Sequence, residues 1–599
     1  MPRALRNVAI IAHVDHGKTT LVDGLFREAG GLARAQMSGE RLMDRNDLER
    51  ERGITILSKN ASIDWEGVRI NLIDTPGHAD FGGQVERVLS MADGALLLVD
   101  AFEGPMPQTR FVLRKAFENR LRPIVVLNKM DRPEARPEGV ISEVFDLFVE
   151  LGAEELALDF PVIYASARER WAGTTVDDRG RGMAPLLDAI LEQVPAPRAD
   201  AGGPLRFQVS TLDWSDFVGR IGIGRVHGGA LRKGASVAVV HNDGSDRPGR
   251  VKELYVFAGM ERVPAEVVEA GDIGAVAGIE ELGLGDSLCQ PDRVQPLPPI
   301  RVEEPTIEME FRVNDGPYAG IEGTYVTSRQ LRERLLRAGM MDPALRVRAE
   351  TADGFQVAGR GVLHLGILIE NMRREGYEFC VGKPIVLTKE EDGRRLEPME
   401  EARVEFPDEY LGKVMEFFGQ RGAEIKEMER RGKETILTMH APTRGLIGAR
   451  TSLLNLTRGE GTIHTLFIGY APELPGLVNR RSGALVATDL GKATTYALRD
   501  LEDRGEFFIR PGDPVYAGMV VGENNKDSDL PLNVVKEKKL TNMRAAGKDI
   551  EVKLRPPRLM SLEMFLEYLA DDELLEVTPG SLRLRKRALH ARVQRRATV

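Results

Sequence analysis

Cysteine is the scarcest residue type in this sequence, with only Cys289 and Cys380 in a chain of 599 residues. The two thiols stand far apart, which argues against both a disulfide framework and a cysteine-rich zinc site. We therefore expect a protein of a reducing compartment. The contents of hydrophobic and charged residues, 42% and 29%, are ordinary for a globular protein.

No apolar run reaches the length of a membrane span, and Met1–Arg6 lead directly into the first predicted strand. We expect no signal peptide, no membrane association and a cytoplasmic location. An excess of positive charge is also missing, since the formal net charge is -10. Any nucleic-acid binding must therefore come from local basic patches. A chain of 599 residues is too long for one core and suggests about four or five domains.

The stretch AHVDHGKTT, residues 12–20, lies between an apolar strand pattern and the start of a predicted helix. This arrangement is typical of a phosphate-binding loop, although Ala12 replaces its first glycine. Backbone N–H groups of such a loop point at phosphate oxygens, its lysine reaches the β- and γ-phosphates, and its hydroxyl binds Mg²⁺. A chance match in a turn is the alternative. The residues assigned to GTP here are Asp15, His16, Gly17, Lys18, Thr19 and Thr20, with Thr19 also assigned to Mg²⁺.

Three further segments follow predicted strands in the order that a GTP-binding domain requires. In the segment DTPGH, Asp74 can hold a Mg²⁺-bound water and the Gly77 N–H can meet the γ-phosphate. In the segment Asn128-Lys129-Met130-Asp131, the carboxylate can accept two hydrogen bonds from guanine that adenine cannot donate. The backbone N–H groups of Ser166-Ala167 suit guanine O6. Ligands bind at the carboxyl ends of strands in an open α/β sheet, so the sequence predicts a GTP site.

The charged stretch DRNDLERERGITI, residues 44–56, is by composition typical of a solvated loop. Together with DTPGHADF, it resembles the ribosome-dependent translational GTPases, the group that includes elongation factor G and LepA. The resemblance implies a switch loop in which Thr55 closes on Mg²⁺ and the γ-phosphate. It also implies that His78 orients the attacking water, with a polar loop residue as the alternative. Hydrolysis by positioning and electrostatics then stays slow until a partner orders His78.

Proline-rich linkers at 195–197 and 295–300 divide the rest of the chain. Between them, short β-rich pieces alternate with glycine-rich turns, which predicts a β-barrel. Two mixed units follow and suggest ferredoxin-like folds, the second resembling the fifth domain of elongation factor G. The predicted fold class is multidomain α/β plus β. The predicted domains are a P-loop GTPase domain at 1–197, a β-barrel at 203–291, ferredoxin-like domains at 303–388 and 397–477, and a C-terminal domain at 478–599.

Several segments after residue 478 look like the C-terminal domain of the BipA (TypA) family, which other translational GTPases lack. They run from Asn479-Arg480-Arg481 to Arg583-Leu584-Arg585-Lys586-Arg587, so the resemblance covers essentially the whole chain. Basic residues around a Thr-Asn turn suit RNA phosphates and splayed bases, with a solvated loop as the alternative. Seven basic residues and no acidic one stand from 583 to 596, either a second patch or a disordered tail. The RNA-binding candidates are Lys536, Lys538, Lys539, Asn542, Arg544 and Lys548.

The resemblance implies a ribosome-binding GTPase that converts GTP to GDP and phosphate. It further implies a role in large (50S) subunit assembly and in stress or low-temperature adaptation. The implied partners are the ribosome (70S and large subunit), rRNA and tRNA, bound in a salt-sensitive way, and we expect a monomer in solution. A LepA-like back-translocase and a GTP-gated RNA-binding module with incidental hydrolysis are the alternatives. A translocase role is not expected, because no segment could hold the tip domain of elongation factor G.

Overall fold

The computed structural model describes residues 4–13, 15–30, 47–52, 58–76, 82–215, 217–300, 304–342, 344–351, 353–431, 433–477, 482–537 and 554–589. Packing divides the chain into two compact units, one of residues 1–303 and 340–343, the other of residues 304–339 and 344–599. Every helix in the described ranges is too short or too polar to span a bilayer.

The first unit begins with an α/β domain built on a seven-stranded sheet. Its strands are β1 Leu5–Ala12, β2 Asn60–Trp65, β3 Val68–Asp74, β4 Gly94–Asp100, β5 Arg122–Asn128, β6 Val162–Ser166 and β7 Trp171–Gly173. Its helices are α1 Lys18–Glu28, α2 Asp47–Arg52, α3 Gly82–Leu89, α4 Pro107–Glu118, α5 Pro137–Glu150, α6 Glu154–Ala157 and α7 Ala184–Gln193.

The strand order of this sheet is β2-β3-β1-β4-β5-β6-β7, with antiparallel edge strands and five parallel strands between them. Alternate residues of β1 serve two cores. Val8 and Ile10 pack with α1 and α7, whereas Ala9 and Ile11 pack with α3, α4 and α5. Covering on both faces explains why the parallel strands are nearly continuous apolar runs.

The second half of this unit is the expected β-barrel. Its strands are β8 Arg206–Ser215, β9 Gly219–Gly228, β10 Ala230–Arg232, β11 Ser236–Val240, β12 Asp246–Arg250, β13 Glu253–Ala258, β14 Glu261–Pro264, β15 Val267–Glu269, β16 Ile273–Ala277 and β17 Ser287–Cys289. Eight of them form one antiparallel sheet in the order β12-β11-β17-β8-β9-β16-β13-β14, and β10 pairs with β15. Residues such as Phe207, Val226 and Leu288 fill a single core between these strands.

A buried polar network attaches the barrel to the two strands that lead to the phosphate loop and to Asp74. The Asn7 side chain, on β1, donates to Asp93 Oδ2 at 2.8 Å and to the Gly271 carbonyl at 2.9 Å. Asn71, on β3, donates to Asp272 Oδ1 at 3.0 Å. The hydrogen bonds from Asn7 to Gly271 and from Asn71 to Asp272 join the sheet to the barrel and favour one arrangement of the two.

The second unit opens with a ferredoxin-like fold, as expected. Its elements are β18 Ile307–Val313, α8 Ser328–Met341, β19 Arg346–Ala349, β20 Gly354–Gly359, α9 Val362–Arg374, β21 Phe379–Val381 and β22 Ile385–Val386. The first four long strands are ordered β19-β20-β18-β21, and both helices connect strands in the βαββαβ manner.

A second ferredoxin-like fold follows. Its elements are β23 Lys389–Glu391, β24 Arg394–Pro407, α10 Leu411–Gly419, β25 Glu424–Arg431, β26 Glu434–Pro442, α11 Thr443–Leu446, α12 Ala449–Leu456 and β27 Thr462–Pro472. Strand β24 lies between β26 and β27, and β25 pairs with the other side of β26. Val404, Phe418 and Leu453 meet in its core.

The remaining segment is divided between two sheets. Its elements are β28 Ala484–Ala487, β29 Gly491–Lys492, α13 Thr495–Leu501, β30 Gly505–Phe507, β31 Pro514–Val515, β32 Val520–Asn524, β33 Leu530–Leu532, α14 Leu562–Tyr568, β34 Glu573–Val577 and β35 Leu582–Lys586. Strands β30-β32-β28-β33 form their own sheet, but β34 pairs antiparallel with β21 and carries β35 beyond it. The last predicted domain thus completes the sheet of an earlier one, which the sequence did not indicate.

Candidate nucleotide site

The phosphate-loop residues lie between β1 and α1, at the carboxyl edge of the parallel strands. The loop uses the left-handed region twice, at Asp15 with φ 64° and at Gly17 with φ 90°. The Gly17 carbonyl accepts from Leu21 N at 2.9 Å and so begins the helix. Thr19 and Thr20 occupy the first turn of α1, where N–H groups have no intrahelical acceptor and favour anions.

Lys18 joins the phosphate loop to the end of β3. Its Nζ lies 2.6 Å from Asp74 Oδ1 and donates to the Thr75 carbonyl at 2.9 Å. The Thr75 hydroxyl in turn donates to the Ile10 carbonyl of β1 at 2.6 Å. Asp74 is buried, and burial raises the pKa of its carboxyl although the neighbouring Lys18 lowers it. The predicted phosphate lysine and the predicted Mg²⁺ carboxylate are therefore direct neighbours.

Asn128 connects three of the four predicted segments. Its Nδ2 donates to the His16 carbonyl in the phosphate loop at 2.7 Å, and its Oδ1 accepts from Ala167 N at 2.9 Å. A Cβ added to Gly17 would lie 2.5 Å from the same Nδ2, so only glycine fits against it. One side chain thus joins the loop predicted to bind phosphate to the loop predicted to bind the base.

Asp131 lies against the last segment. The Ser166 hydroxyl donates to Asp131 Oδ1 at 2.7 Å and accepts from Glu169 N at 3.1 Å. Met130 N also donates to the Ala165 carbonyl at 3.1 Å, which ties the two strand ends together. Ser166 therefore orients the carboxylate that the sequence assigns to guanine.

Sequence reasoning missed the loop after β4. Asp100 ends this strand, is fully buried and lies with its Oδ2 2.7 Å from Lys129 Nζ. The buried ring of His16 has its Nδ1 3.3 Å from the Leu98 carbonyl and its Nε2 3.6 Å from Glu103. The available signal was positional, because Asp100 follows an apolar strand in the same way as Asp74.

Three of the predicted nucleotide-site residues, Thr55, Gly77 and His78, lie outside the described residues, and their roles remain predictions. Part of the charged stretch at 44–56 is helical, since Asp47–Arg52 form α2. On this helix Leu48 and Glu49 are buried, and the Glu49 carboxylate pairs with Lys59 before β2. Leu48 and Glu49 are therefore packed rather than solvated, whereas Glu51 on the same helix is exposed.

Of the RNA-binding candidates, only Lys536 is described. It is exposed, and its carbonyl accepts from the Thr494 hydroxyl next to α13 at 2.6 Å. The other candidates, Lys538, Lys539, Asn542, Arg544 and Lys548, lie outside the described residues.

The basic run at 583–587 is a correction to the sequence analysis, because its cations are paired within the fold. They lie on and beside β35, where carboxylates of the neighbouring strand β34 and of more distant parts of the chain neutralise them. The pairs are Arg583 with Glu322 at 2.6 Å, Arg585 Nε with Glu576 at 3.2 Å, Lys586 with Asp529 at 2.6 Å and Arg587 with Glu310 at 2.7 Å. This part of the run is folded and is not a disordered tail.

Across the described ranges, no group of three or more His, Cys, Asp or Glu side chains lies close enough together to hold a metal ion. The two cysteines, Cys289 and Cys380, are both buried thiols. Burial raises the pKa of the Cys380 thiol to about 12.

Four regions of the chain match family models. Residues 3–196 match the Elongation factor Tu GTP binding domain, and residues 219–289 match Elongation factor Tu domain 2. Residues 394–480 match the Elongation factor G C-terminus, and residues 482–591 match the TypA/BipA C-terminal domain. The four matches follow one another in the order of the described domains.

Curated relatives are similar over their full length. A protein of Bacillus subtilis (strain 168), named "Large ribosomal subunit assembly factor BipA", is 51% identical over 99% of this chain and 97% of its own. Proteins with the same name from Salmonella typhimurium and Escherichia coli (strain K12) are 50% and 49% identical, over 98% and 99% of their own lengths and 99% and 100% of this chain. A crystal structure of a Thermus thermophilus protein aligns with 79% of this chain and 98% of its own, with a TM-score of 0.54 and 20% identity. The last likeness indicates a shared fold.

Proposed function

Because this chain belongs to the BipA family of translational GTPases, we propose that it is a ribosome-triggered GTPase acting in assembly of the large ribosomal subunit. The chain is a GTPase. One observation above all supports the proposed position of its nucleotide site. Asn128 binds the phosphate loop with one end of its amide and the Ala167 N–H with the other. The assembly role is supported by relatives that share about half of their residues with this chain and bear that function in their names.

In the proposed site, the phosphates of GTP lie along Asp15–Thr20 and the base lies between Asp131 and the Ser166–Ala167 loop. Lys18 supplies the positive charge for the β- and γ-phosphates, and the Gly77 N–H is proposed to meet the γ-phosphate. Lys18 already faces the end of β3, where the Asp74 carboxylate lies 2.6 Å away. Lys18 therefore lies between the phosphate loop that follows β1 and the end of β3.

The residues present fit a Mg²⁺ ion. This ion usually takes one or two protein oxygens together with waters and substrate phosphates. The Thr19 hydroxyl in the first turn of α1 and, through water, the Asp74 carboxylate at the end of β3 are such oxygens, and Thr55 is proposed as the third group. When bound, Mg²⁺ neutralises charge that develops on the phosphate oxygens.

We assign His78 the task of orienting the water whose oxygen attacks the γ-phosphorus while the bond to the GDP oxygen breaks. Such catalysis is positioning and electrostatic stabilisation, so it depends on an ordered side chain rather than on a covalent intermediate. A ribosomal partner that orders His78 would then switch hydrolysis on, and the GDP state would release the factor.

The proposed partners are the 70S ribosome, its large subunit, rRNA and tRNA. The protein is proposed to be a monomer in the cytoplasm. Stress and low-temperature adaptation of translation is the proposed setting. Lys536 and the neighbouring candidates at 538–548 would bind RNA phosphates. Each phosphate contact releases counterions, so binding weakens as salt rises.

The deciding experiment measures GTP hydrolysis alone, with 70S ribosomes and with isolated large subunits, each at low and at high salt. We expect slow turnover alone and strong stimulation that fades with salt. Turnover that is fast without ribosomes, or stimulation that ignores salt, would contradict the proposal.

The remaining candidate is a GTP-gated RNA-binding module in which hydrolysis is incidental. It predicts that a His78→Ala variant still restores large-subunit assembly in cells that lack the wild-type protein. A LepA-like back-translocase is disfavoured by the TypA/BipA C-terminal match over residues 482–591.

A further inference from the structure

Asp100 is a fully buried carboxylate beside the proposed base-binding loop. Its two oxygens face different groups. Oδ1 accepts from the backbone N–H groups of Phe102 at 2.8 Å and Glu103 at 3.4 Å. Oδ2 lies 2.7 Å from Lys129 Nζ and 3.3 Å from Arg132 Nη1. One oxygen thus shapes the loop after β4, and the other oxygen holds cations.

Lys129 is held in an uncommon conformation next to Asn128. Its φ of 64° lies in the left-handed region, where a residue with a side chain is strained. Its side chain is only 19% exposed although it ends in an ammonium group. A lysine side chain loses considerable rotamer freedom when it is held in one conformation. The side chain of Lys129 therefore stays in place only if a partner binds its Nζ.

The Asp100 carboxylate is suited to be that anchor. Burial alone raises the pKa of Asp100, but the hydrogen bond from Lys129 and those from the Phe102 and Glu103 N–H groups leave it below the usual value. The group therefore stays ionised at neutral pH. Charge-assisted hydrogen bonds of this kind are shorter and stronger than neutral ones.

We propose that Asp100 is a positioning residue for guanine-nucleotide binding, which acts by fixing the Lys129 side chain beside the base. The inference rests on the proposed role of Asn128–Asp131 in base binding. Asp100 itself touches no part of the nucleotide; it sets the affinity for GTP and GDP through Lys129. GTP and GDP carry the same base, so Asp100 contributes equally to the affinity for each of them.

Asp100→Asn separates the two tasks of the carboxylate. The amide oxygen can still accept from the Phe102 and Glu103 N–H groups, whereas an NH₂ group then faces the Lys129 ammonium. The loop keeps its hydrogen bonds and only the anchor is lost. We expect GDP and GTP each to bind about tenfold more weakly, since hydrogen bonds to charged groups contribute more than neutral ones, and KM for GTP to rise by the same factor.

The test is a double-mutant cycle on the full chain, read by calorimetric titration with GDP and with GTP. Asp100→Asn is measured in the wild-type background and in a Lys129→Ala background. If Asp100 acts through Lys129, the substitution weakens binding in the first background and changes nothing in the second. An equal loss in both backgrounds, or no loss in either, overturns the inference.

Arg132→Ala is the matched control, because Arg132 is the other cation on Asp100 Oδ2 and is not assigned to the nucleotide. We expect binding to change less than about twofold. A tenfold loss would mean that any cation on this carboxylate matters, and the anchor role of Lys129 would be rejected. If Asp100→Asn does not fold, Asp100→Ser keeps an acceptor for the Phe102 N–H and takes its place in the cycle.

The same data separate this inference from the proposed site. A Lys129→Ala variant that binds both nucleotides normally would remove the Asn128–Asp131 segment from the base site, and the inference would fail with it. Weakened binding by Lys129→Ala together with normal binding by Asp100→Asn would reject the inference alone.

Discussion

Gly17 shows at the residue scale how little room the phosphate loop leaves for a side chain. Its φ is 90°, and an added Cβ would lie 2.5 Å from Asn128 Nδ2. Gly30, after the same helix, has φ 66°, but an added Cβ there meets nothing within 4 Å. The two glycines share the backbone strain and differ in the clash.

We therefore expect Gly17→Ala to weaken GDP binding by at least about tenfold, because backbone strain and displacement of Asn128 add together. Gly30→Ala should change GDP affinity by less than about twofold, since its strain is remote from the nucleotide. Titration with GDP measures both. Equal effects of the two substitutions would mean that the Asn128 bridge does not matter for binding.

For His78 we predict the opposite effect of a substitution, in which GTP binding is retained and GTP hydrolysis is lost. His78→Ala should bind GTP with nearly unchanged affinity, while ribosome-stimulated hydrolysis falls by roughly 10²-fold or more through loss of transition-state positioning. Single-turnover hydrolysis with saturating ribosomes measures the effect. An undiminished stimulated rate would take His78 out of the reaction.

At the scale of single elements, β35 carries a buried cation, and the residue directly after the strand is an exposed one. Arg585 is fully buried, as is its partner Glu576, whereas Arg587 beside Glu310 is 41% exposed. Arg585→Ala should lower stability by about 3–5 kcal/mol, because it leaves a buried carboxylate without its cation. Arg587→Ala should cost no more than about 1 kcal/mol. Calorimetric melting of the two variants makes the comparison.

The double variant Arg585→Ala with Glu576→Gln tests the cause. Removing the charge that was left unpaired should recover a large part of the lost stability. If the double variant is no better than Arg585→Ala, the loss comes from packing and the ionic explanation of β35 is wrong.

The contact between α12 and α14 should depend on pH. Glu567 on α14 accepts from the Thr451 hydroxyl at 2.7 Å. Burial raises the pKa of this carboxyl, and the neighbouring Glu563 adds to the rise, while Thr451, Arg450 and Arg421 oppose it. A carboxyl with a raised folded pKa stabilises the fold below its unfolded pKa, and this contribution is lost as pH rises through the folded pKa.

Glu567→Gln keeps an acceptor for Thr451 and removes the half-buried charge. The variant should be more stable than the wild type near pH 7, and the difference should vanish as the pH falls towards about 4, the usual pKa of an unfolded glutamate. Denaturation at a series of pH values measures this. A difference that is constant with pH would contradict the role of ionisation.

The elements also show which parts of the site the sequence could predict. Lys18, Asp74, Asn128 and Ser166 each follow an apolar strand within a few residues, so local pattern was sufficient to place them at one sheet edge. The ion pair between Lys129 and Asp100 was missed because Asp100 belongs to a different strand and carries no motif of its own. The pair of Arg583 with Glu322 was missed because the two residues are 261 residues apart in the chain.

For the whole molecule, the division of the chain predicts what truncation does. A chain ended at residue 477 would lack β34, which pairs with β21, and also α14, whose Leu562 and Leu566 pack in the core with Leu365 and Ile369. Both the open strand edge and the uncovered apolar residues favour aggregation. The nucleotide site lies in the other unit and should survive.

We expect the chain ended at residue 477 to aggregate on size-exclusion chromatography while its remaining monomer still binds GDP. A chain ended at residue 589 is the control, because it retains every strand that the structure describes. A truncated chain that is monomeric and melts at the wild-type temperature would show that β34 and β35 are dispensable for the sheet.

The sheet shared by β21 and β34 also affects how the chain folds during its synthesis. Phe379 on β21 pairs with Val577 on β34, so about 200 residues must be synthesised after the first strand before its partner exists. At about 5–20 residues per second, this takes roughly 10–40 s, far longer than a local hairpin needs to form. During that interval the nascent chain carries an unpaired strand edge, so its yield in the cell should depend on translation speed and on the chaperones that attend it.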